Sequence, residues 1–506
     1  MDKIETIFGG IAKHAELTPH KVAVIAGQSS ITYQSLAVGI NAVAAALRKS
    51  GVKSGHRVGV NTSDVIDHLM GSIGAMAAGA IPVALPNADA ISYAAILADA
   101  SPFLVIGNKE EDGVGMAVPA GMAVYSIEEL LEMKCGDDTN WLEREVSPEE
   151  IAMFYYTSGT SSGIRKGVMQ SYRALHCTAD YIVNTMNLSG EVVEFVASSI
   201  DNAFWFGRCR CVLKVGGTVL LHNGTLNPLA IIDSIKRNNG NAISGDTPVF
   251  LLLMNHLEKI FRQIAPAIRW AKIASQAMPL KDKKHLMELL PNARIIMGYG
   301  LTEAMRTALL PFSDFPDELA SDGRPCLGVS IAIAGENGDF LPAKNVGEVL
   351  ISGVNVASGY WNKEQMWKEK FDGKWYRSGD IGYLDKDGFL FLQGRKDHAI
   401  NSGGKTIALS EVENRLREHI HSTSFATCGI PDPKGVLGEI VVLCIEGEWK
   451  EASSWKDLRI HLFECMDPTL IPKEAYCTSS FPRTANGKIQ LGILRKNIEQ
   501  GQLVKC

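Results

Sequence analysis

Helical and strand patterns alternate along the first 300 residues, and this alternation strongly restricts the fold. Between residues 30 and 110, segments with helical spacing are separated by short apolar runs that indicate buried strands. The same alternation recurs over residues 151–221 and 242–296. Such a pattern is typical of βαβ units, in which helices cover the faces of a parallel sheet. We therefore expect an α/β fold for the N-terminal part of the chain.

The pattern changes after residue 325, where short strands and turns dominate. An Asp-Lys-Asp-Gly sequence at residues 385–388 predicts a hairpin turn, and the segment as a whole predicts a small β-rich lobe. A domain boundary is expected at the end of this lobe, near Gly394-Arg395-Lys396-Asp397.

The residues beyond this boundary predict a second, smaller domain. Ser410 followed by Glu413 has the spacing of a helix capping box, and an α+β pattern continues from there. The sequence thus predicts a large N-terminal body over residues 1–395 and a C-terminal domain over residues 396–506.

Composition argues against several classes of partner and location. The 506 residues carry a formal net charge of −6, which gives no reason to expect a nucleic-acid partner. The most apolar stretch, residues 69–86, is rich in Gly and Ala, and it predicts a buried helix followed by a core strand, with no membrane span. The N-terminus lacks the apolar core of a secretory signal, and the ten cysteines form no Cys-x-x-Cys pair. We therefore expect a cytoplasmic protein with reduced thiols.

A loop rich in glycine and hydroxyl groups, residues 157–167, directly follows an apolar run. Glycines let backbone N–H groups approach an anion, hydroxyls donate further hydrogen bonds, and Arg165 and Lys166 add positive charge. The order differs from the usual NTPase loop, because Lys166 precedes Gly167 and not Ser or Thr. The loop is suited to a polyphosphate, although taken alone it fits a surface loop equally well.

A second segment, Gly298-Tyr299-Gly300-Leu301-Thr302-Glu303, follows a predicted strand. The carboxyl end of a strand is where an open α/β sheet places its ligands. Tyr299 is suited to stack on a base, Thr302 to donate to a phosphate, and Glu303 to hold Mg²⁺ directly or through water. Taken alone, this segment is better explained by an ordinary strand-to-helix turn with an exposed Glu.

Two further segments place charged residues at turns. Asp380 follows Ser378-Gly379, and its carboxylate can accept hydrogen bonds from two ribose hydroxyls, with Arg395 suited to ribose or phosphate oxygens. The turn Asn486-Gly487 projects Lys488 at a loop tip. Surface hairpins and a solvated lysine remain the ordinary interpretation of each segment alone.

Together and in this order, the four segments closely resemble the acyl-adenylate-forming superfamily, which contains acyl- and aryl-CoA synthetases, luciferases and peptide-synthetase adenylation domains. The resemblance covers nearly the whole chain and includes Gly323-Arg-Pro325 and Gly359-Tyr-Trp361. It implies an enzyme, an acid–thiol ligase, that uses ATP and Mg²⁺ to convert a carboxylic acid into an acyl-adenylate with release of pyrophosphate. The acyl group then passes to the thiol of CoA.

The resemblance also implies roles for individual residues. Thr302, Glu303 and Lys488 are the expected catalytic residues: Thr302 and Glu303 serve the α-phosphate and Mg²⁺, and Lys488 bridges the carboxylate and the α-phosphate. The remaining nucleotide-binding residues fall into four groups: Thr157, Ser158, Gly159, Thr160, Ser161 and Lys166 for the β- and γ-phosphates; Gln276, Ala277 and Met278 for the adenine; Gly298 and Tyr299 at the turn; Asp380 and Arg395 at the ribose.

The C-terminal domain resembles the mobile lids of this superfamily, which rotate between the two half-reactions. Asp397 matches the hinge, and residues 401–405, Asn-Ser-Gly-Gly-Lys, are the expected thiol-facing element. Two alternatives stay open: a stand-alone enzyme that loads a carrier-protein phosphopantetheine, and a degenerate relative that binds nucleotide as a partner or sensor.

Two departures from the family pattern concern the phosphate loop and the acyl site. The loop is one residue longer than usual and has Ile164-Arg165 where a Pro is expected before the Lys. Residues 198–206 fall where many relatives carry a Pro-x-x-His element, and Asp201 and Asn202 stand there instead. The sequence therefore leaves the identity of the carboxylic acid open.

Overall fold

The computed structural model describes residues 4–85, 90–107, 118–119, 121–133, 139–157, 165–198, 200, 203–222, 227–274, 277–396, 399–402, 405–421, 424–434, 437–451, 454–483 and 489–505.

The helices are α1 Ile7–Leu17, α2 Tyr33–Lys49, α3 Val65–Ala77, α4 Ala90–Ala100, α5 Ile127–Glu132, α6 Tyr172–Met186, α7 Ala203–Lys214, α8 Pro228–Arg237, α9 Thr247–His256, α10 Glu258–Phe261, α11 Leu280–Leu289, α12 Glu364–Lys368, α13 Leu409–Leu416, α14 Trp455–Cys465 and α15 Leu491–Glu499.

The strands are β1 Val22–Ala26, β2 Ser29–Thr32, β3 Arg57–Asn61, β4 Ile81–Ala84, β5 Leu104–Gly107, β6 Ala123–Tyr125, β7 Ile151–Thr157, β8 Lys166–Ser171, β9 Val193–Ala197, β10 Thr218–Leu221, β11 Ala242–Asp246, β12 Trp270–Ala274, β13 Arg294–Tyr299, β14 Ala308–Pro311, β15 Arg324–Pro325, β16 Val329–Ala334, β17 Gly347–Gly353, β18 Gly359–Tyr360, β19 Tyr376–Leu384, β20 Leu390–Arg395, β21 Ala399–Ser402, β22 Lys405–Ala408, β23 Ser424–Pro431, β24 Glu439–Glu446, β25 Glu474–Thr478 and β26 Val504–Lys505.

Two large sheets form the N-terminal body. The first has the strand order β15-β14-β13-β12-β11-β9-β10-β1-β2 and is parallel from β13 to β1, with antiparallel strands at both edges. The second has the order β18-β8-β7-β4-β3-β5-β6 and is parallel from β7 to β6. One hydrophobic cluster joins both sheets, with Val24 and Val196 from the first and Val60 from the second. The α/β expectation is confirmed.

Local sequence signals account for several of these elements. Asp64 caps α3 by accepting hydrogen bonds from the backbone N–H groups of Ile66 and Asp67 at 2.8 and 3.1 Å. The apolar stretch at residues 69–86 contributes to α3 and β4, as predicted, and both elements are buried. Among the helices of the described residues, none combines the length and apolar character that crossing a membrane requires.

The β-rich lobe is an antiparallel sheet with the order β16-β17-β19-β20. Its last hairpin turns at Asp385, whose Oδ1 accepts hydrogen bonds from the N–H groups of Asp387 and Phe389, and at Gly388, whose φ is 80°. This turn was expected from the sequence.

The C-terminal region has a hairpin, β21–β22, and a sheet with the order β23-β24-β25-β26. Its two hydrophobic clusters contain only residues from position 400 onward, whereas the other clusters end at residue 392. This separation supports the division between residues 395 and 396, which stays a prediction.

The prediction of a capping box at Ser410 and Glu413 is wrong. Helix α13 already includes Leu409, so Ser410 lies inside its first turn. The Ser410 hydroxyl donates to the carbonyl oxygen of Gln393, and the Glu413 carboxylate accepts from the N–H of Thr427 at 2.7 Å. Both side chains therefore make tertiary contacts, which the local spacing could not reveal.

The expectation of reduced thiols is wrong for Cys477 of β25, which forms a disulfide. A search for Cys-x-x-Cys detects only cysteines that are close in sequence. A disulfide requires only that the fold brings two Cα atoms within about 7 Å.

A fully buried ion pair ties α7 to β9. Arg208 donates from Nε and Nη2 to the two carboxylate oxygens of Glu194 at 2.7 and 2.5 Å, and both side chains are 1% exposed. Burial opposes the charge of Arg208, but the adjacent carboxylate raises its pKa above the ordinary value.

We expect Arg208→Met to lower the free energy of unfolding by about 3–5 kcal/mol, because it leaves the Glu194 carboxylate buried without its partner. Denaturant unfolding would measure the loss. The double variant Arg208→Met/Glu194→Met removes both charges and is expected to recover most of it. Equal instability of the single and double variants would contradict this electrostatic explanation.

Candidate active site

The mouth of the β7–β8 hairpin holds the ends of the glycine-rich loop. Thr157 and Lys166 are paired across the hairpin, and the Lys166 ammonium lies 5.1 Å from the centre of the Tyr360 ring. This arrangement brings a positive charge from the loop to the neighbourhood of β18. The expected phosphate ligands Ser158, Gly159, Thr160 and Ser161 lie outside the described residues.

Tyr299, the last residue of β13, reaches across to the lobe sheet. Its hydroxyl donates to Oδ2 of Asp380 at 2.5 Å. Burial and the adjacent Asp380 carboxylate raise the pKa of Tyr299 well above its ordinary value, so the phenol keeps its proton at neutral pH. The expected turn at Gly298-Tyr299 and the expected carboxylate Asp380 are therefore in direct contact, although 81 positions separate Tyr299 and Asp380 in the chain.

Asp380 is buried between three partners. It pairs with Arg395 across β19 and β20, and Nη1 of Arg395 lies 3.2 Å from its Oδ1. The backbone N–H of Asp380 donates to the Ser378 hydroxyl oxygen at 2.9 Å, and that hydroxyl donates to the carbonyl of Val349 at 2.7 Å. The carboxylate is thus fixed in position from both sides, with 6% of the residue exposed.

The residues after β13 are anchored by side chains from the second sheet. The Gln170 side-chain amide donates to the Thr302 carbonyl at 2.5 Å, and the Tyr360 hydroxyl donates to Oε1 of Glu303 at 2.7 Å. The Tyr360 and Tyr376 hydroxyl oxygens are 3.2 Å apart. Burial and the nearby Glu303 carboxylate raise the pKa of both tyrosines, so each acts as a neutral donor.

Gln170, Tyr360 and Tyr376 are contacts that sequence reasoning missed. Gly359-Tyr-Trp361 was noted only as part of the family resemblance, and nothing local in the sequence connects Gln170 to Thr302. These side chains have no motif of their own, because their contacts join strands of the second sheet and of the lobe sheet to residues far away in the sequence.

The structure describes two of the three residues that are expected to line the adenine. Met278 is buried in a hydrophobic cluster, Ala277 is exposed, and Gln276 lies outside the described residues. Their place beside an adenine stays a prediction.

The expected catalytic lysine, Lys488, lies outside the described residues, as do Asp397, Gly403, Gly404, Asp201 and Asn202. Of the described residues that flank Lys488 in the sequence, Arg483 and Ile489 form a β-bridge, and the N–H of Gln490 donates to the Pro482 carbonyl at 2.8 Å.

The two parallel sheets, the β-rich lobe and the site between them define the class of acyl-adenylate-forming enzymes. The sequence model of the "AMP-binding enzyme" family matches residues 11–361. The chain belongs to this family of AMP-binding enzymes.

The chain is similar to curated enzymes along almost its entire length. It is 27% identical over 497 residues to a feruloyl-CoA synthase of Amycolatopsis sp., covering 96% of this chain and 97% of that enzyme. It is 23% identical over 491 residues to a 4-hydroxybenzoate–CoA/benzoate–CoA ligase of Rhodopseudomonas palustris, covering 94% and 90%.

A solved structure shares the fold. The o-succinylbenzoate CoA synthetase of Bacillus subtilis, in complex with its acyl-adenylate intermediate, aligns with a TM-score of 0.85 at 21% identity and covers 96% of this chain and 98% of that one.

Proposed function

We propose that this enzyme activates a carboxylic acid with ATP and Mg²⁺ to an acyl-adenylate, releases pyrophosphate, and transfers the acyl group to the thiol of CoA. The observation that carries the proposal is the contact between Tyr299, Asp380 and Arg395 beside the anchored Glu303, in a chain of the AMP-binding family. The names of the CoA-ligase relatives, which match over 97% and 90% of their length, support CoA as the acceptor.

Each described site residue has a role that follows from its chemistry. The Asp380 carboxylate accepts hydrogen bonds from the ribose hydroxyls, with Arg395 holding it in place. Glu303, oriented by Tyr360, is the ligand for Mg²⁺, which offsets phosphate charge when bound. Lys166 adds charge at the β- and γ-phosphates.

Lys488 has the role of lowering the repulsion between the two reacting anions. The carboxylate must approach the α-phosphate, and an ammonium group between them stabilises the transition state in a partly desolvated site. Its place on the C-terminal region supports a lid, residues 396–506, that presents Lys488 in the first half-reaction and residues 401–405 in the second. A cytoplasmic location also stays a prediction.

A carrier-protein thiol is the second candidate acceptor. The chain is 25% identical over 492 residues to a part of tyrocidine synthase 3 of Brevibacillus parabrevis, of which it covers 7%.

The purified chain is expected to form AMP and acyl-CoA in equal amounts from at least one acid of an aryl, short-chain, long-chain and dicarboxylic panel. Mass spectrometry would measure both products in parallel reactions with CoA and with a phosphopantetheinylated acyl carrier protein. Acid-dependent release of ADP, or the absence of acid-dependent AMP across the panel, would contradict the proposal. If the carrier protein is acylated and CoA is not, the carrier-protein thiol replaces CoA as the proposed acceptor.

Lys488→Ala provides a second arm of this experiment. The variant is expected to slow adenylate formation by about 10²-fold or more, because a preorganised charge at the transition state is lost. Thioester formation from a supplied acyl-adenylate should be largely spared. Lys496→Ala, an exposed lysine on α15, is the matched control. Equal slowing of both half-reactions would reject the assigned role.

Asp380→Asn is expected to weaken AMP binding by about 10- to 100-fold, because hydrogen bonds to a charged acceptor are replaced by weaker ones. Titration calorimetry would measure the dissociation constant. Asp387→Asn, exposed at the turn of the same hairpin, should bind AMP as the parent does. Unchanged affinity of the Asp380 variant would remove Asp380 from the nucleotide site.

A further inference from the structure

Four basic side chains converge beneath the Gly298-Tyr299 turn: Arg208 and Arg210 of α7, Lys272 of β12, and Arg306, which follows β13. We call this group the cation cluster. A methyl group on Gly207 would lie only 2.0 Å from Nη2 of Arg306, and one on Gly298 would lie 2.8 Å from the Lys272 ammonium. Arg306 therefore packs directly against α7, and Lys272 packs against the turn that carries Tyr299.

The cation cluster carries more positive charge than the carboxylates among the described residues neutralise. Within the described part of the chain, the one carboxylate that pairs with it is Glu194, which neutralises Arg208. Arg210 donates from Nη1 to the carbonyl of Leu175, and its Nε is buried without a partner among the described residues. A carbonyl accepts a hydrogen bond but does not neutralise a charge.

Lys272 and Arg306 are the other two members. The Lys272 ammonium donates to the carbonyl of Ile273 at 2.7 Å, and burial together with Arg208 and Arg306 lowers its pKa well below the ordinary value. Arg306 makes a single hydrogen bond within the described residues, from Nη1 to the Met305 sulfur at 3.4 Å, which is a weak acceptor. Even with Lys272 neutral, the guanidinium charges of Arg210 and Arg306 have no carboxylate partner within the described part of the chain.

Arg306 has a strained backbone. Its φ is 51°, a left-handed conformation that non-glycine residues rarely adopt. It lies three residues after Glu303, and part of its surface is accessible to solvent. Burial and the neighbouring Arg210 lower the pKa of Arg306 to about 10, which still leaves it cationic at neutral pH.

A neutral donor completes the environment. Tyr155 of β7 is 3% exposed, and its hydroxyl has no hydrogen-bond partner among the described residues. Burial raises the pKa of Tyr155 to about 12, while the charges of Arg210 and Arg306 act in the opposite direction, so its hydroxyl belongs to the same electrostatic environment. A bound anion would neutralise charge on Arg210 and Arg306 and would accept a hydrogen bond from the Tyr155 hydroxyl.

We propose that the carboxylic acid activated by this enzyme carries a second carboxylate, and that Arg306 and Arg210 bind that second carboxylate. A guanidinium matches the two oxygens of a carboxylate and binds it more strongly than it binds any neutral acceptor. The inference rests on the proposed function and names its substrate class, a dicarboxylic acid. The uncompensated cations would reject a neutral acyl chain, because that chain would leave them buried and unpaired.

Matched pairs of acids test this directly: adipic against hexanoic acid, and terephthalic against 4-methylbenzoic acid. Acid-dependent ATP–pyrophosphate exchange would give kcat/KM for each. The dicarboxylic member of at least one pair is expected to exceed its partner by about 10²-fold or more.

Arg306→Asn is the informative variant, because Asn tolerates a left-handed backbone and carries no charge. It should reduce kcat/KM for the dicarboxylic acid by about 10²-fold, mainly through KM, with a small effect on the neutral partner. It should also raise the thermal midpoint of the ligand-free chain, because it removes an uncompensated charge. Arg269→Asn is the matched control, since the Arg269 side chain is 62% exposed on the surface.

A variant with reversed charge at Arg306 tests the same inference through a gain of function. Arg306→Asp should move the preference toward an acid with a terminal ammonium, such as 6-aminohexanoic acid over adipic acid.

Three outcomes would overturn the inference. In the first, the parent prefers the neutral acids; acid-dependent exchange would then still support the proposed function. In the second, Arg306→Asn slows all acids equally, which would assign Arg306 to the reacting carboxylate. In the third, two results occur together. No acid supports exchange, which means that the proposed function fails. Dicarboxylic acids also shift the thermal midpoint of the parent no more than that of Arg306→Asn, which means that Arg306 does not bind them.

Discussion

The buried carboxylate of Asp380 is the interaction on which the site depends. It receives hydrogen bonds from Tyr299 at the end of the first sheet and from Arg395 at the end of the lobe sheet. A carboxylate with 6% of its residue exposed is stable only when its acceptor capacity is used. The pair of contacts therefore fixes how the lobe meets the α/β body, and we propose that the nucleotide binds where they meet.

Electrostatics separates structural charges from functional ones in this molecule. Arg208 is buried against Glu194, and the pair is locally neutral. Arg306 is partly exposed, has no carboxylate partner among the described residues and sits on a strained backbone. Proteins retain such unfavourable arrangements chiefly where binding uses them. The stability of the fold and the specificity of the site thus make opposite demands on the same cluster.

Much of the fold could be predicted because its signals are local. Alternating apolar patterns indicated α3 and β4, and turn chemistry indicated the hairpin at Asp385. The failures have a common physical cause. Ser410 makes a tertiary contact in place of a cap, and Tyr360 of the second sheet reaches Glu303, which follows β13 of the first sheet, only because the two sheets pack together. Motif order predicts the residues of the site, whereas the contacts that support them depend on tertiary packing between segments far apart in the sequence.

The central claim is that a carboxylate oxygen attacks the α-phosphorus of ATP in this site. A carboxylic acid labelled with ¹⁸O in both oxygens tests it most directly, because the attacking oxygen stays with the phosphate when the thiol later displaces AMP. The account predicts AMP that carries one ¹⁸O atom, with unlabelled pyrophosphate, measured by mass spectrometry. Unlabelled AMP, or ¹⁸O found in inorganic phosphate, would contradict it.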